Sequence, residues 1–207
     1  MIQKAVRSAM KDPVGRRDFA LAADGARITP LLTSSFDTAD LAVERPPENI
    51  LDEDLRSASY WSIPDNHGQV GIKVPVFIYP TNITIDHVPR EIAADVRQAP
   101  RSMILWGLLE GKGNKERYAV AREPLGVSRL DALGDGPPIR AGGSFLPLAS
   151  IEYAIDADFH VQTFAVDASV VASRIYFGVF VLELRSNWGS PNSRLYRVRI
   201  HGEEVSP

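Results

Sequence analysis

The groups in this chain that could do chemistry are few, and their spacing excludes most reactions. Cys is absent from the 207 residues, so thiol nucleophiles, Cys-ligated metals and disulfides are ruled out. The four His fall at no metal-binding spacing such as His-x-x-x-His or His-x-His. Asp86 and His87 are adjacent, but neighbours on a strand point to opposite faces, which prevents a dyad. There is no Gly-x-Ser-x-Gly elbow, and Gly111-Lys112-Gly113 lacks both the Walker spacing and the following Ser or Thr. Catalysis is therefore not expected. Asp52, Glu53 and Asp54 lie between Leu51 and Leu55, where clustered carboxylates can hold a hard cation through oxygen or simply form a solvated acidic turn. Asn82-Ile83-Thr84 is a glycosylation sequon inside an expected strand.

Composition narrows the class further. A hydrophobic content of 44% with 24% charged residues is that of a folded globular chain, and a net charge of -3 provides no basic surface for nucleic acid. No apolar run reaches the roughly 18 residues that a membrane helix needs. Any membrane anchor is expected outside this chain.

The elements that must position the polar groups are mostly strands. Residues 2–11 show a narrow apolar helical stripe, Ile2, Val6 and Met10, stopped at Asp12-Pro13. It reads either as a docked helix or as the end of an oligomeric coiled coil. The boundary assigns 1–17 to this helix and 18–207 to one β-domain. Residues 71–79 and 81–88 read as two strands joined across Pro80, the first demoted to an edge or bulged strand by Pro75. In the second, Ile83, Ile85 and His87 share a face opposite Thr84 and Asp86. Residues 91–98 allow a short helical turn, and 102–109 are a continuous apolar run suited to a buried strand. The Gly- and Pro-rich stretch 111–143 reads as a surface insertion around a short strand at 118–121. Strands follow over 145–153, 160–166 and 175–185, which predicts an all-β sandwich or jelly roll.

The last of these strands leads into 186–202. Asn187-Trp188-Gly189 opens a turn-rich loop, after which Tyr196, Val198 and Ile200 alternate with Arg197 and Arg199. That alternation predicts a half-buried strand with the arginines on the open side.

Asp18-Phe19-Ala20-Leu21, Asn49-Ile50-Leu51, Trp61, the run Ile83-x-Ile85-x-His87-Val88-Pro89, Ala99-Pro100, Asn187-Trp188-Gly189 and Tyr196 through Gly202 occur together and in order. In this the chain resembles the SUN domain, the luminal module of inner-nuclear-membrane proteins, over 18–203. The long insertion at 111–143 suggests a fungal-type or otherwise divergent relative.

The resemblance implies a β-sandwich that trimerises on an N-terminal coiled coil. It also implies binding of the C-terminal tail of KASH-domain proteins in the perinuclear space, as a LINC-complex tether joining nucleoskeleton to cytoskeleton. By resemblance, His87 and Tyr196 line the pocket for the peptide terminus, and 33–48 is the lid. Gln98 stands where the family has a Ser on the peptide carboxylate, and Thr33 stands near a family Cys that bonds the partner. Asn192 and Ser193 border the site of a lost pocket Tyr. A loop over 49–59, with Asn49, Asp52, Asp54 and Ser59, corresponds to the family's cation loop and implies a monovalent or other hard cation. Tyr60 and Arg194 occupy the places of a family Cys pair. Asn187, Trp188 and Gly189 are expected to anchor the final loop. The competing reading is a jelly-roll module that binds glycan or a luminal glycoprotein.

Overall fold

The computed structural model describes residues 15–35, 45–53, 59–125 and 134–206, with backbone alone over 121–125. Residues 1–14, 54–58 and most of the expected lid, 36–44, lie outside the described residues, as do the N-terminal stripe and Asp54.

β-branched and aromatic runs make this a sheet protein. Its strands are β1 (Arg27–Ile28), β2 (Trp61–Ile63), β3 (Gly68–Asp86), β4 (Pro100–Leu108), β5 (Phe145–Glu152), β6 (Val161–Ala165), β7 (Phe177–Asn187), β8 (Ser193–Leu195) and β9 (Arg197–Glu204). The order β1-β3-β7-β4-β5 forms one antiparallel path, while β6 and β9 both pair with β3. β3 thus belongs to two layers. Its first half pairs with β7 and its second half with β6 and β9. Where two strands joined across Pro80 were expected, there is one strand of 19 residues. The prolines appear instead as irregularities, one register shift between Lys73 and Ile78 against β7 and another between Pro80 and Asn82 against β9. A proline cannot donate to the ladder, so the strand bends past it without ending. The two layers enclose a core that includes Ile83, Ile85, Met103, Leu105, Phe177, Phe180, Val198 and Ile200. The architecture is a β-sandwich of the jelly-roll type.

Among the described residues, two α-helices stand outside the sheets. Helix α1 (Lys112–Leu125) replaces the short strand expected at 118–121. Its glycine-bearing, highly charged sequence hides the helical period, and a side chain supplies the docking. Asn114 is fully buried, donating to the Tyr176 carbonyl (2.6 Å) and accepting from its N–H (3.3 Å). Helix α2 (Ala168–Ser173) is capped by Asp167, whose carboxylate accepts from the Ser169 N–H.

The half-buried reading of the last strand fails. Arg197 and Arg199 are 6% and 5% exposed, because carboxylates and the N-terminal segment cover that face. Arg199 Nε lies 3.1 Å from both Asp86 carboxylate oxygens, and Arg197 pairs with Asp18 at 3.0 Å. The Phe19 N–H donates to the Ile200 carbonyl, which lays the segment along β9. His201 completes this polar layer. Its Nδ1 meets the Arg17 carbonyl (2.8 Å) and must carry the proton, so Nε2 accepts from the Thr84 hydroxyl (2.9 Å). Buried charges are tolerated here because each finds a partner.

Candidate functional site

Four aromatic rings gather where strands end. His87 lies one residue beyond β3, Tyr153 one beyond β5, Tyr60 one before β2, and Tyr196 between β8 and β9. His87 and Tyr196 meet edge to face at 4.7 Å between centroids, Tyr60 and Tyr196 at 5.3 Å, and His87 and Tyr153 at 6.0 Å. Period-two reading places His87 on the apolar face, and at 3% exposure it is indeed buried. Its Nδ1 is 3.0 Å from the Val88 carbonyl, an acceptor, so the proton sits on Nδ1. Nε2 is left as a bare lone pair, buried and without a hydrogen-bond partner among the described residues. Burial holds the imidazole below its ordinary pKa, opposed by the Val88 bond and assisted by His160 and Arg194. Burial also raises the pKa of Tyr196, against a hydrogen bond from Arg194.

Gln98, just before β4, donates its amide to the Asn192 side-chain oxygen, while its own Oε1 is buried without a partner among the described residues. Unpaired buried acceptors are costly and rare, and two of them fall on His87 and Gln98, residues that the family resemblance implies for the peptide pocket.

Asn187 organises the loop between β7 and β8. Its Oδ1 accepts from Gly189 N (2.9 Å) and Ser190 N (3.2 Å), and its Nδ2 reaches the Ser190 and Asn192 carbonyls and Ser193 Oγ. Gly189 takes φ +100°, a conformation that L side chains rarely adopt. Trp188 donates to the Tyr153 carbonyl (3.0 Å) and lies under the Arg101 guanidinium (4.6 Å). Ser193 donates to the Asp65 carbonyl (3.0 Å).

The remaining expected residues are placed separately. Asn49 donates to the Tyr60 carbonyl (2.9 Å) and so sets the ring beside Tyr196. Ser59 is buried and Asp52 exposed, and Arg197 reaches the Glu53 carbonyl in this loop (3.4 Å). Among the described residues, no three His, Asp or Glu groups come together as a metal site. Thr33 bonds to Thr29 and Gly71 on the first half of β3, and no hydrogen bond joins it to His87, Tyr196 or Gln98.

Sequence reading missed a cleft between 88–96 and 153–160. This cavity of about 310 Å³ has His87 and Tyr153 in its wall and Glu91, Asp156 and Asp158 around it. Gln162 braces the 153–160 loop through Ala154 and Phe159, and Phe159 is 74% exposed. The run Asp156-Ala157-Asp158-Phe159 carries no motif that could have announced it.

Fold and site together define a jelly-roll β-sandwich with an aromatic, polar pocket at its strand ends. A family 32 carbohydrate-binding module of Streptococcus pneumoniae EndoD shares this fold, with a TM-score of 0.59 at 13% identity, covering 90% of this chain and 100% of that one. A family model described as Sad1 / UNC-like C-terminal matches residues 42–126. SUN domain-containing protein 5 of Mus musculus is 25% identical over 223 residues, covering 100% of this chain and 50% of that protein. SUN domain-containing protein 3 of Bos taurus is 24% identical, covering 98% and 51%. In these matches, as in the residues that carry the resemblance, the chain is similar to SUN-domain proteins. The chain spans about half the length of these two relatives.

Proposed function

We propose that this domain is a perinuclear-space receptor for the C-terminal tail of a KASH-domain protein, acting as a tether within a LINC complex of the nuclear envelope and without catalysis. The observation that carries the reading is the edge-to-face contact of His87 with Tyr196, two residues that the family resemblance puts around the peptide terminus. His87 Nε2 and Gln98 Oε1 are buried there without a partner among the described residues, and a carboxylate is met once His87 takes a proton on Nε2 or the Gln98 amide turns. Tyr196, in ring contact with His87, supplies a hydroxyl donor there. A peptide carboxylate buried in such a pocket needs donors and charge compensation. The Gln98 and Asn192 amides can exchange roles, and this flip would turn a nitrogen of Gln98 toward the ligand. Titrating a labelled C-terminal peptide of a KASH-domain protein against the domain tests the reading, which expects saturable binding.

Trimerisation belongs to the same proposal and rests on the N-terminal segment. The loop over 49–59, with Asn49, Asp52, Asp54 and Ser59, is the proposed seat of a monovalent or other hard cation. A melting temperature higher in potassium chloride than in choline chloride of equal strength is expected, and equal melting in both would remove the ion from the account.

A second reading is favoured by one observation. The cleft beside His87 combines carboxylate acceptors with the exposed Phe159 ring, a combination suited to a polyhydroxylated ligand such as a glycan.

A further inference from the structure

The pocket as it stands is rich in acceptors, so the charge that a carboxylate requires must come from elsewhere. Two arginines flank it. The Arg45 and Arg194 guanidinium carbons lie 5.0 and 4.8 Å from the Tyr60 ring centroid, and that ring in turn packs on Tyr196. Both are fixed to β2 at one residue: Ser62 donates its N–H to the Arg45 carbonyl (3.1 Å) and is the ladder partner of Arg194 on β8. Arg194 also acts on the Tyr196 hydroxyl, lowering its pKa against the larger effect of burial, and because a guanidinium only donates, the hydroxyl oxygen is the acceptor toward it. The Tyr196 O–H proton is thereby left to point elsewhere. Among the described residues Arg194 forms no ion pair, and Asp95, a carboxylate whose field it feels, is held by Arg97 at 3.0 Å.

We propose that Arg194, with Arg45 on the same Tyr60 ring, is the charge partner that makes this pocket selective for a free peptide carboxylate, acting directly and through the Tyr196 hydroxyl. This rests on the tail-receptor reading and adds to it. At the place where the family resemblance puts a Cys pair, the chain has a cation–π contact between Tyr60 and Arg194, which ties β2 to β8 and leaves a guanidinium at the pocket edge. Arg suits this position better than Lys because its planar fork can stack on a ring and still donate two parallel hydrogen bonds to a carboxylate.

The experiment compares a labelled C-terminal KASH peptide as free acid and as amide, by fluorescence anisotropy, on the unmodified domain and on Arg194→Gln, Arg45→Gln and Arg194→Lys. Loss of a charge-assisted contact predicts that Arg194→Gln weakens the acid by about tenfold or more and leaves the amide unchanged. Arg45→Gln should act in the same direction but less, and Arg194→Lys should recover only part of the preference. Thermal melts check that each variant is folded, and Arg194→Lys, which keeps a cation over Tyr60, serves if Arg194→Gln is not. If the unmodified domain prefers the acid and the acid-to-amide ratio survives in the folded arginine variants, this inference is overturned while the receptor reading stands. If the unmodified domain binds acid and amide equally, or neither, the receptor reading falls and the inference with it.

Discussion

His87 and His201 show how burial and hydrogen bonding assign a protonation state. Each donates from Nδ1 to a backbone carbonyl, and burial is the leading cause that keeps each below the ordinary imidazole pKa. A histidine whose folded pKa is depressed takes up its proton more readily in the unfolded chain. Stability is therefore full above the unfolded value of about 6.5 and declines as pH falls through it toward the folded values. Asp95 is the one described carboxylate with a resolved shift; its pKa is lowered chiefly by Arg97, so it acts only further into acid. Urea denaturation at about pH 7.5 and about pH 5.5 should show a lower midpoint at the acid value. Equal midpoints would contradict the neutral assignments.

The elements explain which residues could be read from the sequence. Alternation located β9 correctly, and Tyr196, Val198 and Ile200 are buried as expected. Alternation also promised an open face for Arg197 and Arg199, because a pattern of types cannot show that Asp18 and Asp86 come from distant positions to pair with them. Helix α1 was illegible for a related reason, since the buried contact Asn114 makes with Tyr176 is long-range. Asn187-Trp188-Gly189 was legible as a turn, but its organising role depends on five polar contacts from one amide. Replacing Asn187 with Ala strips these contacts and leaves buried backbone groups unpaired, at a cost of about 2 to 4 kcal/mol. Guanidinium denaturation should register that loss with an unchanged m-value, and a cost below about 0.5 kcal/mol, the scale of an ordinary surface change, would show that the loop holds without it.

At the scale of the whole molecule, the jelly-roll class could be read from strand spacing alone, while the residues of the proposed pocket are named only by the family resemblance. His87, Tyr196, Gln98 and Asn192 are far apart in sequence and carry no chemistry as isolated letters. The topology brings His87 and Tyr196 together because β3 and β9 pair antiparallel, Asp86 opposite Arg197, one residue from each ring. Asn192 reaches Gln98 because the β7 end lies beside the β4 start, with Asn187 opposite Pro100. The cleft along 153–160 and the arginine pair around Tyr60 stayed invisible, since loop packing and cation–π contacts leave no period in a sequence.

The central claim is that this arrangement receives a peptide's carboxyl end. The most direct measurement is isothermal titration of the domain with one KASH C-terminal peptide in two forms, free acid and C-terminal amide. The account predicts saturable binding of the acid and at least about tenfold weaker binding of the amide, the scale of a lost charge-assisted hydrogen bond. Equal affinity for both forms, or response to glycans with none to either peptide, would contradict it.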